Sequence, residues 1–139
     1  MRNILAVVLG VIVANVVFFL GSVAADRFYP TPAELMDPET PEATALRVAS
    51  AETNGLVLVI LAGALGGLVG GFVGAKVARG KVVAVTGAIG GLLSIWAAYS
   101  FYVFYPARLW FPIGMLVAFM ASTYLGGLAA RKSRREELN

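Results

Sequence analysis

The chain has 139 residues, 59% of them hydrophobic, and 16 glycines bring the apolar-plus-glycine share to about 70%, against about 45–50% in an average soluble domain. Charged residues are 14%, with a net charge of +3. So small a domain has too much surface for its volume to hide that apolar area, and disorder requires low hydrophobicity. A soluble globular fold and a disordered chain are therefore excluded in favour of a membrane protein. Cysteine and histidine are both absent, which removes disulfides, thiolate metal sites and the commonest general base.

All 19 charged side chains fall outside four uncharged stretches, Ile4–Ala25, Gly55–Ala75, Val82–Ala107 and Leu109–Ala130, of 22, 21, 26 and 22 residues. About 20 apolar residues in a helix cross the roughly 30 Å hydrocarbon core. The expected fold is an all-α membrane protein in one domain, a bundle of four transmembrane helices at about 4–25, 55–78, 82–105 and 109–130. None of the short alternating segments of a β-barrel is present.

Helix 1 follows Arg2 and ends near Ser22-Val23-Ala24. That pattern also suits a secretory signal, but the apolar run exceeds the 7–15 residues of a signal core, so an uncleaved span is expected. Ala6, Gly10 and Ala14 form a small-residue stripe, and Asn15 stands near mid-span. Asn15 is expected to make an interhelical hydrogen bond; ligand binding is the other reading.

The segment 26–54 is the sizeable external loop, with a basic tail at 131–139 on the other side. Thr31-Pro32-Ala33-Glu34 fits a capping box with proline at the first helical position. Thr40-Pro41-Glu42 is a second helix start, running to about Thr53 and stopping at Asn54-Gly55. Such a helix is a connector lying on the bundle, or a small lid.

Helix 2 carries two interleaved glycine rows, Gly63, Gly67, Gly71 and Gly66, Gly70, Gly74. At 100° per residue they share an arc of about 140°. Leu58, Leu61, Leu65, Leu68 and Phe72 take the opposite face. Helix 3 has Gly87, Gly90, Gly91, Ser94 and Ala98; helix 4 has Gly114, Ala118, Ser122, Gly126 and Ala130. Lipid supplies no hydrophobic drive between helices, so close backbone approach must bring them together. These glycine-zipper-like stripes are expected to be helix-packing surfaces. The short Arg79-Gly80-Lys81 link makes helices 2 and 3 a hairpin, and their glycine faces are expected to meet. A stripe lining a pore is the alternative.

Aromatics lie oppositely: Phe28 and Tyr29 end helix 1, Trp96 to Tyr105 crowd the outer half of helix 3, and Trp110-Phe111 open helix 4. They read as an interfacial belt; an outward aromatic crevice is the sharper alternative. Eight basic residues, Arg2, Lys76, Arg79, Lys81, Arg131, Lys132, Arg134 and Arg135, fall on one side, against Arg27, Arg47 and Arg108 on the other. The positive-inside rule puts both termini in the cytoplasm. Asp26, Arg27, Glu52 and Arg108 should meet at the outer rim. The run Arg131 to Arg135 is a topology anchor that also suits anionic lipid.

The run Ala64-Leu65-Gly66, then Val69-Gly70, Trp110-Phe111 and Leu125-Gly126-Gly127, resembles a family of small uncharacterised four-helix bacterial inner-membrane proteins. Their first external loop is acidic and holds a short helix. The resemblance covers most of the chain and implies fold and location, with no activity. Where that family often has histidine before Ala-Leu-Gly, this chain has Gly63, so no histidine role transfers. Four-helix fluoride channels are similar in length, but their paired-glycine and arginine motif is missing here.

None of the four uncharged stretches contains an acid or base, the usual mark of proton relays and coupled transport. No phosphate loop, paired-carboxylate site or nucleophile–base pair is visible. The expectation is a non-enzymatic multi-pass protein of the bacterial inner membrane, with no cofactor, no metal and no nucleic-acid partner. It would act through helix packing in the bilayer, as a homo-oligomer or an accessory subunit. The alternative is a channel or transporter for a small neutral or apolar solute.

Overall fold

The computed structural model describes residues 1–30, 49–78, 80–104 and 108–136, with the side chains of the third helix described as far as Tyr99. The described residues form four long helices, α1 (Arg2–Phe28), α2 (Thr53–Val77), α3 (Val82–Phe104) and α4 (Trp110–Glu136). All four are long and apolar enough to cross a membrane. The helix starts expected at Thr31 and Thr40 lie outside the described residues.

Two boundaries differ from the sequence reading. α4 continues through Arg131 to Glu136, so most of the basic tail is helix. Arg and Lys are good helix formers, and nothing in that stretch breaks a helix. Asn54-Gly55 is not a stop: the chain is extended at Glu52, and α2 begins at Thr53. Gly55 instead allows a close approach, since a Cβ there would stand 3.2 Å from the Tyr29 Cβ. The turn that does need glycine is at Gly80, with φ of +81°, a region costly to other residues.

α2 is the hub of the bundle. It packs extensively on α1 and on α4, while α3 packs mainly on α4 and more narrowly on α2 and α1. α1 and α4 face each other across the bundle through the Phe18 and Phe119 rings, 6.0 Å apart and edge-on. The order around the bundle is therefore α1, α2, α4, α3. The expected pairing of the α2 and α3 glycine faces is overturned. Their short link holds the two helix ends together, but α3 presents bulky Val85 and Ile89 inward. Ile89, 0% exposed, reaches Gly10 of α1 and Gly74 of α2 together. It wedges into the notch those glycines leave.

The end of α2 explains two of the arginines. The last carbonyls of a helix lack N–H partners and carry its negative dipole end. Here Arg134 Nη2 donates to the carbonyls of Ala75 (2.9 Å), Lys76 (2.8 Å) and Ala78 (3.5 Å). Arg2 Nε donates to Val77 O at 3.0 Å. One arginine from α1 and one from α4 thus close on the same helix end. At the opposite end, Arg108 donates to Ala49 O at 3.0 Å, which ties the α3–α4 link to the chain entering α2. Of the four charged residues expected to meet at that rim, Arg108 therefore bonds backbone.

Arg134→Gln is expected to lower stability in detergent by about 1.5–3 kcal/mol, the range for hydrogen bonds to a charged group. Arg135→Gln, at an exposed position, should change it by less than about 0.5 kcal/mol. Thermal unfolding of both variants checks this, and equal shifts would remove the clamp as a stabilising feature.

Candidate functional site

The two glycine rows of α2 meet different helices. A Cβ on Gly66 would come 2.6 Å from Ala14 O, and one on Gly70 would come 2.5 Å from Gly10 O. Gly74 lies against Ala6 O and Ile89. These three form the α1 face, and Ala6, Gly10 and Ala14 are their counterparts. On the other row, Gly63 meets Met115 and Phe119, Gly67 meets Ser122 and Thr123, and Gly71 meets the Thr123 backbone. α4 answers with Gly126, which lies against Leu68 O and Phe72 N of α2, while Gly114 meets Ile60. Ala118 is half-buried. At Gly66, Gly70, Gly71 and Gly126 the neighbour is backbone, so even one methyl group would force the helices apart, whereas Gly63 and Gly114 meet the ends of flexible side chains.

The expected α3 positions divide. Gly90 lies near Thr123 and Met120 of α4, and Gly127 of α4 is packed on Thr86. A Cβ on Gly87 or Gly91 would meet nothing within 4 Å. Among the described residues, these two glycines meet no neighbour. They sit on the outer flank of α3, beside exposed Ala84 and Ala88.

The polar groups inside the spans close mostly on their own helices. Asn15 Nδ2 donates to Val11 O (2.9 Å), and Ser22 Oγ donates to Phe18 O (2.9 Å). The expected interhelical bond of Asn15 is thus replaced by one to the preceding turn, which needs no partner helix. Thr86 donates to Val82 O and Val83 O, and Ser122 and Thr123 donate to Phe119 O. Ser94, whose Oγ donates to Leu116 O of α4 at 3.3 Å, is the side chain that bridges helices here. Among the described residues, no buried side-chain polar atom lacks a partner.

At the outer end a shallow open recess of about 380 Å³ is lined by Phe28, Tyr29 and Leu58. Trp96 and Tyr99 are exposed on α3, and Trp110 stands edge-on to Phe111 with centroids 6.0 Å apart. Among the described residues, no three His, Cys, Asp or Glu side chains gather where a metal ion would sit. Comparison with protein-family models, with curated proteins and with solved structures found no match.

The two classes of glycine should respond to alanine with opposite sign. Gly71→Ala and Gly126→Ala are expected to destabilise by about 1–3 kcal/mol, because overpacking here falls on backbone. Gly87→Ala and Gly91→Ala should be neutral, or stabilising by up to about 1 kcal/mol through helix propensity. Unfolding midpoints in detergent decide it. Loss at Gly87 equal to loss at Gly71 would contradict the assignment of faces.

Proposed function

We propose that this chain is a multi-pass protein of the bacterial inner membrane that performs no catalysis. It acts as a packed helical body joining copies of itself or a larger membrane complex. The observation that carries this reading is the internal closure of the spans. The glycine faces of α2 are taken up by α1 and α4, and the polar side chains at mid-span end on backbone carbonyls. That supports a body with little polar surface for moving a solute between the helices, and it disfavours the channel reading. Small surface open to lateral contact includes the outer flank of α3 at Gly87 and Gly91. The resemblance to small four-helix inner-membrane proteins agrees with this placement.

The topology follows from charge. Eight basic residues at the end that holds Arg2 and Arg134, against three at the other, favour a cytoplasmic position for that end. Single cysteines at Glu39 and Ser133 should label from the periplasmic and cytoplasmic sides respectively. Periplasmic labelling of both would break the four-span topology.

Association and transport part company at Ala84 and Ser122. Ala84→Cys, on the outer flank of α3, should crosslink in native membranes to a second copy or a partner. Ser122→Cys, buried against Gly67, should neither crosslink nor react with a small aqueous thiol reagent. Reaction at Ser122 with none at Ala84 would favour a solute path and overturn the proposal.

A further inference from the structure

The basic end of the bundle holds two kinds of cation. Arg2 and Arg134 are spent on the carbonyls that end α2. Lys81, Arg131, Lys132 and Arg135 make no hydrogen bond or ion pair among the described residues. Lys81, Arg131 and Arg135 lie toward one seam. Lys81 immediately precedes Val82, and Arg131 immediately follows Ala130; Val82 and Ala130 pack in one small cluster with Ala75 and Phe72. Arg131 also continues the row of Gly127, which lies against Thr86 of α3, and Arg135 is one turn further. Lys132, three residues before Arg135, stands beside it on the row of exposed Leu128. The acid described at this end of α4, Glu136, follows one turn beyond Lys132 and off the Arg131–Arg135 row.

These three cations stand where two membrane-crossing helices reach the headgroup level. Directly before them, α4 exposes Met120, Tyr124 and Leu128, and α3 exposes Val83. An apolar flank running into unpaired positive charge is complementary to one class of molecule, a lipid with acyl chains and a negatively charged phosphate headgroup. We propose that the inner end of the α3–α4 seam is a docking surface for anionic phospholipid, with the headgroup phosphate held by Lys81, Arg131 and Arg135. Arg2 and Arg134 are left out of the site, because Arg2 Nε and Arg134 Nη2 already hold the carbonyls that end α2. The inference needs the helices to cross a membrane and does not depend on lateral association.

The test is lipid retention by the purified full chain, read by native mass spectrometry after exposure to equal amounts of phosphatidylglycerol and phosphatidylcholine. The wild type should retain phosphatidylglycerol in preference. Lys81→Gln, Arg131→Gln and Arg135→Gln should each weaken that retention roughly five-fold, the equivalent of about 1 kcal/mol per surface cation. The triple variant should retain both lipids equally. Arg27→Gln, which removes the same charge from the opposite end of the bundle, should bind as the wild type does. Unfolding midpoints in lipid-free detergent should stay at the wild-type value for all of these, which separates lost binding from lost fold. Equal retention of the two lipids by the wild type would overturn the proposal. So would a loss at Arg27 as large as the loss at Arg131. Crosslinking at Ala84 reads lateral association separately, so either proposal can fail alone.

Discussion

Backbone-to-backbone contact along α2 is the constraint on which the rest of the bundle depends. In lipid, apolar side chains gain nothing by leaving one hydrocarbon for another, so helices associate only where atoms fit closely. α2 achieves that fit on two sides at once, with Gly66, Gly70 and Gly74 against α1 and Gly63, Gly67 and Gly71 against α4. A helix with small residues over a wide arc can hold two neighbours, and α2 does so. The breadth of the arc therefore needs no second copy of the chain to account for it. The bulky residues Leu61, Leu65 and Leu68 face outward, where large apolar side chains meet lipid without penalty.

The position of α3 follows from that arrangement. With both small faces of α2 occupied, α3 reaches the interior through a side chain. Ile89 fills the notch left by Gly10 and Gly74, and Ser94 adds one interhelical hydrogen bond to α4. The contact of α3 with α1 and α2 is correspondingly narrow. This also separates the glycines of α3 by role. Gly90 is packed, while Gly87 and Gly91 look out of the bundle. A glycine in a helix interior carries a conformational cost of about 1 kcal/mol against alanine. Gly87 and Gly91 bear that cost without a described contact in return.

Charge organises the ends as packing organises the middle. Cations at one end are commonly read as a single feature that orients a membrane protein. Here they divide by what they bond. Arg2 and Arg134 cap the carbonyls of α2 and bind α1 and α4 to it at that level. Lys81, Arg131 and Arg135 make no hydrogen bond or ion pair among the described residues. Holding several carbonyls at once suits arginine, whose planar fork carries five donors. Hydrogen-bond closure at mid-span works the same way in miniature. Thr86, Thr123 and Asn15 bond to their own helices, so these polar groups remain in an apolar setting without the cost of an unmade bond.

The helices were legible in the residues themselves. Span number, approximate limits and the exclusion of a soluble fold follow from uncharged runs long enough to cross hydrocarbon, a property of composition and length alone. The two-faced character of α2 was also legible, because the spacing of its glycines is a local helical geometry. Which helix each face meets was not, since periodicity describes one helix and says nothing of its neighbour. The short Arg79-Gly80-Lys81 link suggested α3, yet adjacency along the chain fixes only where two helix ends lie. The shape of Ile89 and the two free glycine rows assigned α1 and α4 instead. The same distinction separates Arg134 from Arg135 and Gly90 from Gly91. Each pair is identical in residue type and adjacent in the chain, and only the neighbouring helix makes one member a contact and leaves the other exposed or unmet. Asn15 was legible as a polar group needing a partner, but the choice between a neighbouring helix and the preceding turn depends on three-dimensional reach, which only the folded bundle decides.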